Sequence, residues 1–430
     1  MVNLLIKQVR WVNPYEQTDE IKDIYIREGE IAIVGNNLNP ERVETIDGDG
    51  LVLCPGFIDM HVHLREPGYE HKETILTGMQ AAAHGGFTAI APMPNSKPAA
   101  DSAKTIRYIL DKSEAGPVEV LPIGAITQGL KGEKLTDLAE LKKAGVVAFS
   151  DDGMAVMDSE TMKNAMQISK GLGAVVIDHC EDLSLTKNGV LNKGPISEQL
   201  GLPGIPRAAE DIMTARDILL AKEYDLPIHI AHVSTKTSVD LIRHAKAEGV
   251  DVTAEATPHH FSLTDESLLT NDANYKVSPP LRGEMDRLAV VEAIKDGTID
   301  MFTTDHAPHS QEEKAKGLEN APKGMIGLET CFGVINTELV RKGVIDLVKA
   351  IEMLTIAPYT RFSLPEQCGN PMEGLANLVL IDPERKWEVR REDFYSKSIN
   401  SPFLGTELYG KVLMTIAGGD LAMRDDNVTF

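Results

Sequence analysis

The stretch Pro55-Gly56-Phe57-Ile58-Asp59-Met60-His61-Val62-His63-Leu64-Arg65 sets two histidines one residue apart in a largely apolar run. Residues i and i+2 of a β-strand share a face, so His61 and His63 leave the strand side by side, at a spacing that grips one metal ion. A His-x-His pair also arises as two ordinary strand histidines with routine hydrogen bonds. The rest of the chain decides between these readings.

From residue 51 onward, short apolar runs alternate with helical patterns, which marks repeated βα units and a parallel sheet. Eight strands are expected, at residues 51–63, 88–92, 118–126, 146–150, 174–179, 227–232, 252–256 and 299–304. Eight such units suggest an α/β fold with a closed, TIM-like (β/α)8 barrel, whose catalytic groups sit at the carboxyl ends of the strands. The polar residues follow that rule: His61, His63, Asn95, Thr127, Asp151, Asp152, His179, His232, His259, His260, Asp305, His306 and His309 lie at or just after strand ends. Eight of the 12 histidines fall there, in windows covering roughly a tenth of the chain, which chance placement does not produce. Residues 1–53 and 365–430 read instead as short strands and turns. They are expected to pair as a small β-sandwich beside a catalytic domain at 54–364.

The 430-residue chain has 42% hydrophobic and 25% charged residues, the balance of a soluble globular protein. Its 43 basic and 65 acidic residues give a net charge of −22 with no basic stripe, a field that repels nucleic acid and anionic membranes. An anionic substrate must then be captured locally, by a metal and a few placed cations. With no secretory pattern or membrane-length apolar run, and four scattered cysteines that fit a reduced compartment, a cytoplasmic protein is expected. Cys180 follows His179 directly, so in a strand it faces the other way and reads as packing.

A metal held by His61 and His63 needs ligands from other strands. His179, His232, Asp305 and a carboxylate from the Asp151-Asp152 pair stand at the right height; alternation says only that one of the two aspartates points inward. Imidazole and carboxylate donors without thiolate suit zinc, with manganese or cobalt as replacements. A shared carboxylate would let six ligands hold two cations, and Asp305, at the mouth of the last strand, is placed to act as general base.

The runs from Gly56 to Gly68, Pro92-Met93-Pro94-Asn95, Ser150-Asp151-Asp152-Gly153, His179-Cys180-Glu181-Asp182, His232-Val233-Ser234-Thr235, Thr257-Pro258-His259-His260 and Thr304-Asp305-His306-Ala307-Pro308-His309 closely resemble bacterial class I dihydroorotases of the amidohydrolase superfamily. That resemblance, which extends over the whole chain, implies the reversible conversion of N-carbamoyl-L-aspartate to L-dihydroorotate in pyrimidine synthesis. It implies one or two zinc ions held by His61, His63, Asp152, His179, His232 and Asp305, with Asp305 as catalytic base, and so selects Asp152 over Asp151. It places Arg65, Asn95 and His309 around the substrate carboxylate, a geometry that a guanidinium fork matches; a surface ion pair of Arg65 with Glu66 or Glu70 is the plainer alternative. It further implies a homodimer, with association with aspartate carbamoyltransferase as the assembly of some relatives.

Two departures stand out. Ser278 occupies the position before Pro279-Pro280 where the family often has Asn, so a substrate-ring contact is expected to weaken or pass through water. Lys323 replaces a common Phe, although backbone contacts at Lys323 and Gly324 depend little on the side chain. The polar segment 310–324 reads either as a lid or as an idle surface loop. The rival readings are a hydantoinase, dihydropyrimidinase or allantoinase, which use a carbamylated lysine where this chain has Asp152, and a non-catalytic partner subunit, which would have lost metal ligands.

Overall fold

The computed structural model describes residues 1–430. The expected strand over 51–63 is split: Val52–Pro55 and Phe57–Val62 belong to different sheets. Gly56 is the pivot between them, its N–H donating to the Asn377 carbonyl at 2.9 Å. A Cβ on Gly56 would stand 2.1 Å from the Thr88 hydroxyl oxygen, so only glycine lets the turning backbone pass the neighbouring strand.

Phe57–Val62 pairs in parallel with Phe87–Pro92, and that strand pairs with Glu119–Val120. Pro122 has no N–H to donate and interrupts the run, which resumes as Ile123–Ala125 and pairs with Ala148–Ser150. Val176–Asp178, Ile228–Ile230, Val252–Ala256 and Met301–Phe302 continue the parallel order. Beyond the last of these, His306 bridges Val62 in parallel, and the His63 N–H donates to the His306 carbonyl at 2.8 Å. The strands are buried on both faces, which explains why they read as continuous apolar runs rather than alternating ones.

Helices Ile75–His84, Ala103–Ser113, Ser159–Gly171, Ala208–Tyr224, Lys236–Ala247 and Glu284–Lys295 stand where the periodicity predicts them. Thr74, Ser102, Asp158 and Thr235 cap four of these, each side chain accepting from a backbone N–H of the first turn. Their apolar faces and the outward faces of the strands form one core that includes Phe57, Phe87, Phe149, Ile228 and Phe302. No helix is long and apolar enough to cross a membrane.

The two chain ends meet in one nine-stranded mixed sheet, in the order Asn427–Val428, Asp420–Arg424, Glu407–Ala417, Leu378–Glu388, Val52–Pro55, Leu4–Asn13, Thr18–Arg27, Glu30–Gly35, with Glu44–Asp47 beside Leu4–Asn13. The sheet is continuous because Val52–Pro55 pairs on one side with Leu4–Asn13 and on the other with Leu378–Glu388. Ile6, Ile24, Leu53, Leu378 and Ile416, drawn from both ends, share one apolar cluster. Several terminal strands are longer than expected because their outer faces are lined by Lys, Arg, Asp and Glu, which obscures the apolar alternation.

Replacing Gly56 with Ala forces the two sheets apart at this joint and is expected to cost about 1–3 kcal/mol. Chemical denaturation would show this as a lowered midpoint; an unchanged midpoint would mean the pivot has slack.

Candidate active site

The carboxyl ends of the parallel strands surround a polar cavity of about 230 Å³. His63, Arg65, Asn95, Asp152, His179, His232, Ser278, Asp305, His309, Lys323 and Gly324 line it, together with Gly153, Glu181 and Ala307. His61 lies just beneath the floor, fully buried. A larger cleft of about 730 Å³ runs between the chain termini, where Arg424 pairs with Glu44 and the Met1 amino group with Asp420. The converging chemistry is in the smaller cavity.

Asp152 stands at its centre. Its Oδ1 is 3.3 Å from His61 Nε2, 3.5 Å from His179 Nδ1 and 3.7 Å from His232 Nε2, while its Oδ2 is 3.5 Å from His63 Nε2. Asp305 Oδ1 sits 3.0 Å from His63 Nε2 and 3.7 Å from His61 Nε2. Two clusters with metal-ligand spacing result, His61 with Asp152 and His232, and His61 with His63 and Asp305. Asp151 turns the other way, accepting from the Ile126 and Thr127 N–H groups at 2.8 and 3.0 Å.

Buried carboxylates behind this cluster aim its ligands. Glu255, wholly buried, accepts from His61 Nδ1 at 2.6 Å, from His229 Nε2 at 2.9 Å and from the His232 backbone N–H at 3.2 Å. The His61 tautomer is thereby set, with Nε2 left for the cavity. Burial would raise the Glu255 carboxyl, but the His61 charge and the two imidazole hydrogen bonds hold it well below the usual range. Asp59 accepts from the His61 N–H at 3.0 Å and from the Thr304 N–H and hydroxyl, so it sets the residues beside both His61 and Asp305. His179 Nε2 faces Glu181 at 3.3 Å, which leaves Nδ1 toward His232 Nε2 at 2.7 Å and Asp152 Oδ1 at 3.5 Å. His232 and Asp305 carry φ values of +31° and +47°, and Arg65 +62°, a backbone region that costs non-glycine residues energy and that these clamps help sustain.

Asn95 has two tasks. Its Oδ1 takes the His63 Nδ1 hydrogen at 2.9 Å, leaving its amide nitrogen free for the cavity. Arg65 makes no ion pair with Glu66 or Glu70; its Nε donates to the Pro308 carbonyl at 3.1 Å and its Nη2 lies 3.3 Å from His309 Nε2. Burial lowers the Arg65 guanidinium to about 10, still charged at neutral pH. Burial, then Arg65, Lys72 and Lys314, drive His309 far below its ordinary range, so its ring is neutral. Burial would raise Asp305 as well, but the His63 hydrogen bond and the charges of His61 and His63 hold it at about 2, an ionised acceptor.

The Ser278 hydroxyl donates to Glu181 at 3.3 Å and accepts from Lys323 Nζ at 3.4 Å, so the two departures from the family pattern meet on one wall. His259 and His260 lie beneath this wall on Thr257, and His260 holds the Pro279 carbonyl at 3.0 Å. His306 points away, toward Glu73 at 3.3 Å. Cys180 packs between Asp178 and Asp217, facing away from the cavity. Sequence reasoning passed over Asp59, Glu181, His229 and Glu255. The available signal was a lone carboxylate inside the apolar strand Val252–Ala256, on the face it shares with Thr253.

Solved structures of similar fold include the L-hydantoinase (dihydropyrimidinase) from Arthrobacter aurescens, with a TM-score of 0.87 at 23% identity over 100% of this chain and 98% of that one. The dihydropyrimidinase from Brevibacillus agri gives a TM-score of 0.85 at 25% identity, over 100% and 96%. The chain shares the fold of these two hydrolases, and its histidine–carboxylate cluster lies at the carboxyl ends of the parallel strands. A family model described as dihydro-orotase-like matches residues 50–238. A dihydroorotase from Pelotomaculum thermopropionicum is 49% identical over 424 residues, covering 99% of each chain, and one from Geobacter metallireducens is 48% identical over 425 residues, covering 98% of this chain and 100% of that one. The chain belongs to the dihydroorotase family.

Glu255→Gln places an amide N–H against one of two imidazole N–H groups and should weaken divalent-metal binding about 10- to 100-fold. Competition against a chromophoric chelator measures this, and wild-type affinity in the variant would contradict the role given to Glu255.

Proposed function

We propose that the cavity opens and closes the ring of L-dihydroorotate, with N-carbamoyl-L-aspartate as the open form, on a zinc centre of one or two ions held by His61, His63, Asp152, His179, His232 and Asp305. The observation that carries this reading is the central Asp152 carboxylate, with histidines on both of its oxygens. The donor set fits a metal. His61 Nε2 and Asp152 Oδ1 are buried side-chain atoms without a hydrogen-bond partner, and they face each other at 3.3 Å in this cluster. Ligands of one tetrahedral zinc lie about 3.3 Å apart, close to the 3.0–3.7 Å separations between the carboxylates and imidazoles here.

When bound, such a cation supplies Lewis acidity, making water a better nucleophile at neutral pH and polarising an amide carbonyl. Water adds to the ring carbonyl carbon, the bond from that carbon to the ring nitrogen breaks, and a carboxylate and a ureido group result. Asp305, kept ionised, takes the proton from the attacking water and delivers it to the departing nitrogen. Arg65 and the Asn95 amide hold the spectator carboxylate with neutral His309 beside them, and the backbone at Lys323 and Gly324 and the Ser278 hydroxyl border the ring. Ring closure is the same path reversed.

The architecture proposed with this chemistry is a closed (β/α)8 barrel over 54–364 with a small sandwich made by residues 1–53 and 365–430. The bridge from Val62 to His306, the in-line pieces Glu119–Val120 and Ile123–Ala125, and the apolar cluster shared by the chain ends support it.

Purified protein assayed on L-dihydroorotate, hydantoin and allantoin should open only the first; preference for hydantoin or allantoin would move the reading to the rival cyclic-amide hydrolases. Asp305→Asn should lower kcat about 10²- to 10⁴-fold. Arg65→Met should cost about 2–5 kcal/mol in kcat/KM, and a variant with unchanged kcat/KM would remove Arg65 from the substrate pocket.

A further inference from the structure

Buried cations without a carboxylate partner are costly, and two stand behind one wall of the cavity. Lys276 and Lys314 are 5% and 7% exposed, and neither makes an ion pair. Their ammonium groups are satisfied by main-chain carbonyls instead. Lys314, at the end of the short helix Gln311–Lys314, donates to the carbonyls of Ala273 at 2.9 Å, Pro322 at 3.0 Å and Lys276 at 3.4 Å. Lys276 donates to Ala321 at 2.7 Å and Glu319 at 3.1 Å.

The Lys276 bonds cross between two segments, 273–276 and 319–322, Lys314 reaches both from the helix beside them, and the cavity wall continues from both. The Gly324 N–H donates to the Lys276 carbonyl at 2.8 Å. The Lys323 carbonyl accepts from His309 Nε2 at 2.8 Å, and Asn400 ties the Gly324 carbonyl to the His309 N–H at 3.1 Å on each side. Gly324 has a φ of +134°, and a Cβ there would lie 2.8 Å from the Ala307 side chain and 3.0 Å from His309 Nε2, so its backbone is pressed directly against this end of the site.

We propose that Lys276 and Lys314 are positioning residues for substrate binding: their ammonium groups lash residues 319–324 to 273–276, and so hold the Gly324 amide and neutral His309 in register with Arg65. The segment 310–324 is on this account a tied strap, neither idle nor swinging. In a chain of net charge −22, local capture of an anion falls to Arg65, which has no carboxylate partner, and the strap keeps the backbone around it in place. The inference deepens the dihydroorotase reading and rests on it for the identity of the anion.

The test is steady-state kinetics of zinc-loaded Lys314→Met on L-dihydroorotate, with hydrogen exchange of the same sample. KM should rise about tenfold while kcat stays within about threefold, because binding is lost equally from ground and transition states. Metal content should equal that of the wild type, and amides of residues 317–324 should exchange faster. Lys276→Met is read in the same way and carries the test if Lys314→Met does not fold. An unchanged KM with unchanged exchange, or a fall in kcat and metal content at constant KM, overturns the proposal. Failure of the wild type to open dihydroorotate would reject the substrate reading instead, while the exchange comparison between wild type and variant still decides whether the strap is tied by these lysines.

Discussion

The site depends first on Asp59. This fully buried carboxylate accepts from the His61 N–H at 3.0 Å and from the Thr304 N–H at 3.2 Å, so it links the first and last of the parallel strands across 245 residues of sequence. Together with the bond from the His63 N–H to the His306 carbonyl at 2.8 Å, that link fixes His61 and His63 relative to Asp305. Burial pushes the Asp59 carboxyl up to about 7, against the pull of Thr304 and His61, which shows how much the surrounding hydrogen bonds must supply. A buried acceptor of this kind is worth keeping only when every donor aimed at it is satisfied by the folded chain.

The same device recurs around the cavity. Asp151 gathers the N–H groups at the end of the third strand, Glu255 those beside His232, and Glu210 those of Ser234 and Thr235. Each is a buried carboxyl group one residue layer behind a ligand. Each holds backbone that would otherwise relax, since His232 and Asp305 occupy left-handed conformations that favour glycine. Elsewhere around the site donors meet main-chain carbonyls instead: the Arg65 guanidinium in the cavity meets Pro308, and Lys276 and Lys314 behind its wall meet Ala321 and Ala273.

Much of this was legible in the sequence because strand periodicity and strand-end position are coarse, robust signals. The His61-x-His63 pair and the Thr304-Asp305 turn follow from them directly, and the structure brings these residues together. The choice between Asp151 and Asp152 was not legible from alternation, since both lie past the strand end and the decision rests on which one the Ile126 and Thr127 amides capture. The break at Gly56 was hidden because nothing in 51–63 announces a contact with Thr88, a residue outside that stretch. Nothing in the sequence around Lys276 and Lys314 marks them as buried. Their burial is a property of two distant loops closing over them, and no local pattern encodes it.

The most direct test of the account is turnover of L-dihydroorotate by the purified protein before and after chelation, with zinc restored and bound metal counted. The account requires that activity disappears as metal is removed, returns with zinc, and tracks its occupancy. Undiminished turnover by the stripped protein, or none by the zinc-loaded one, would contradict it.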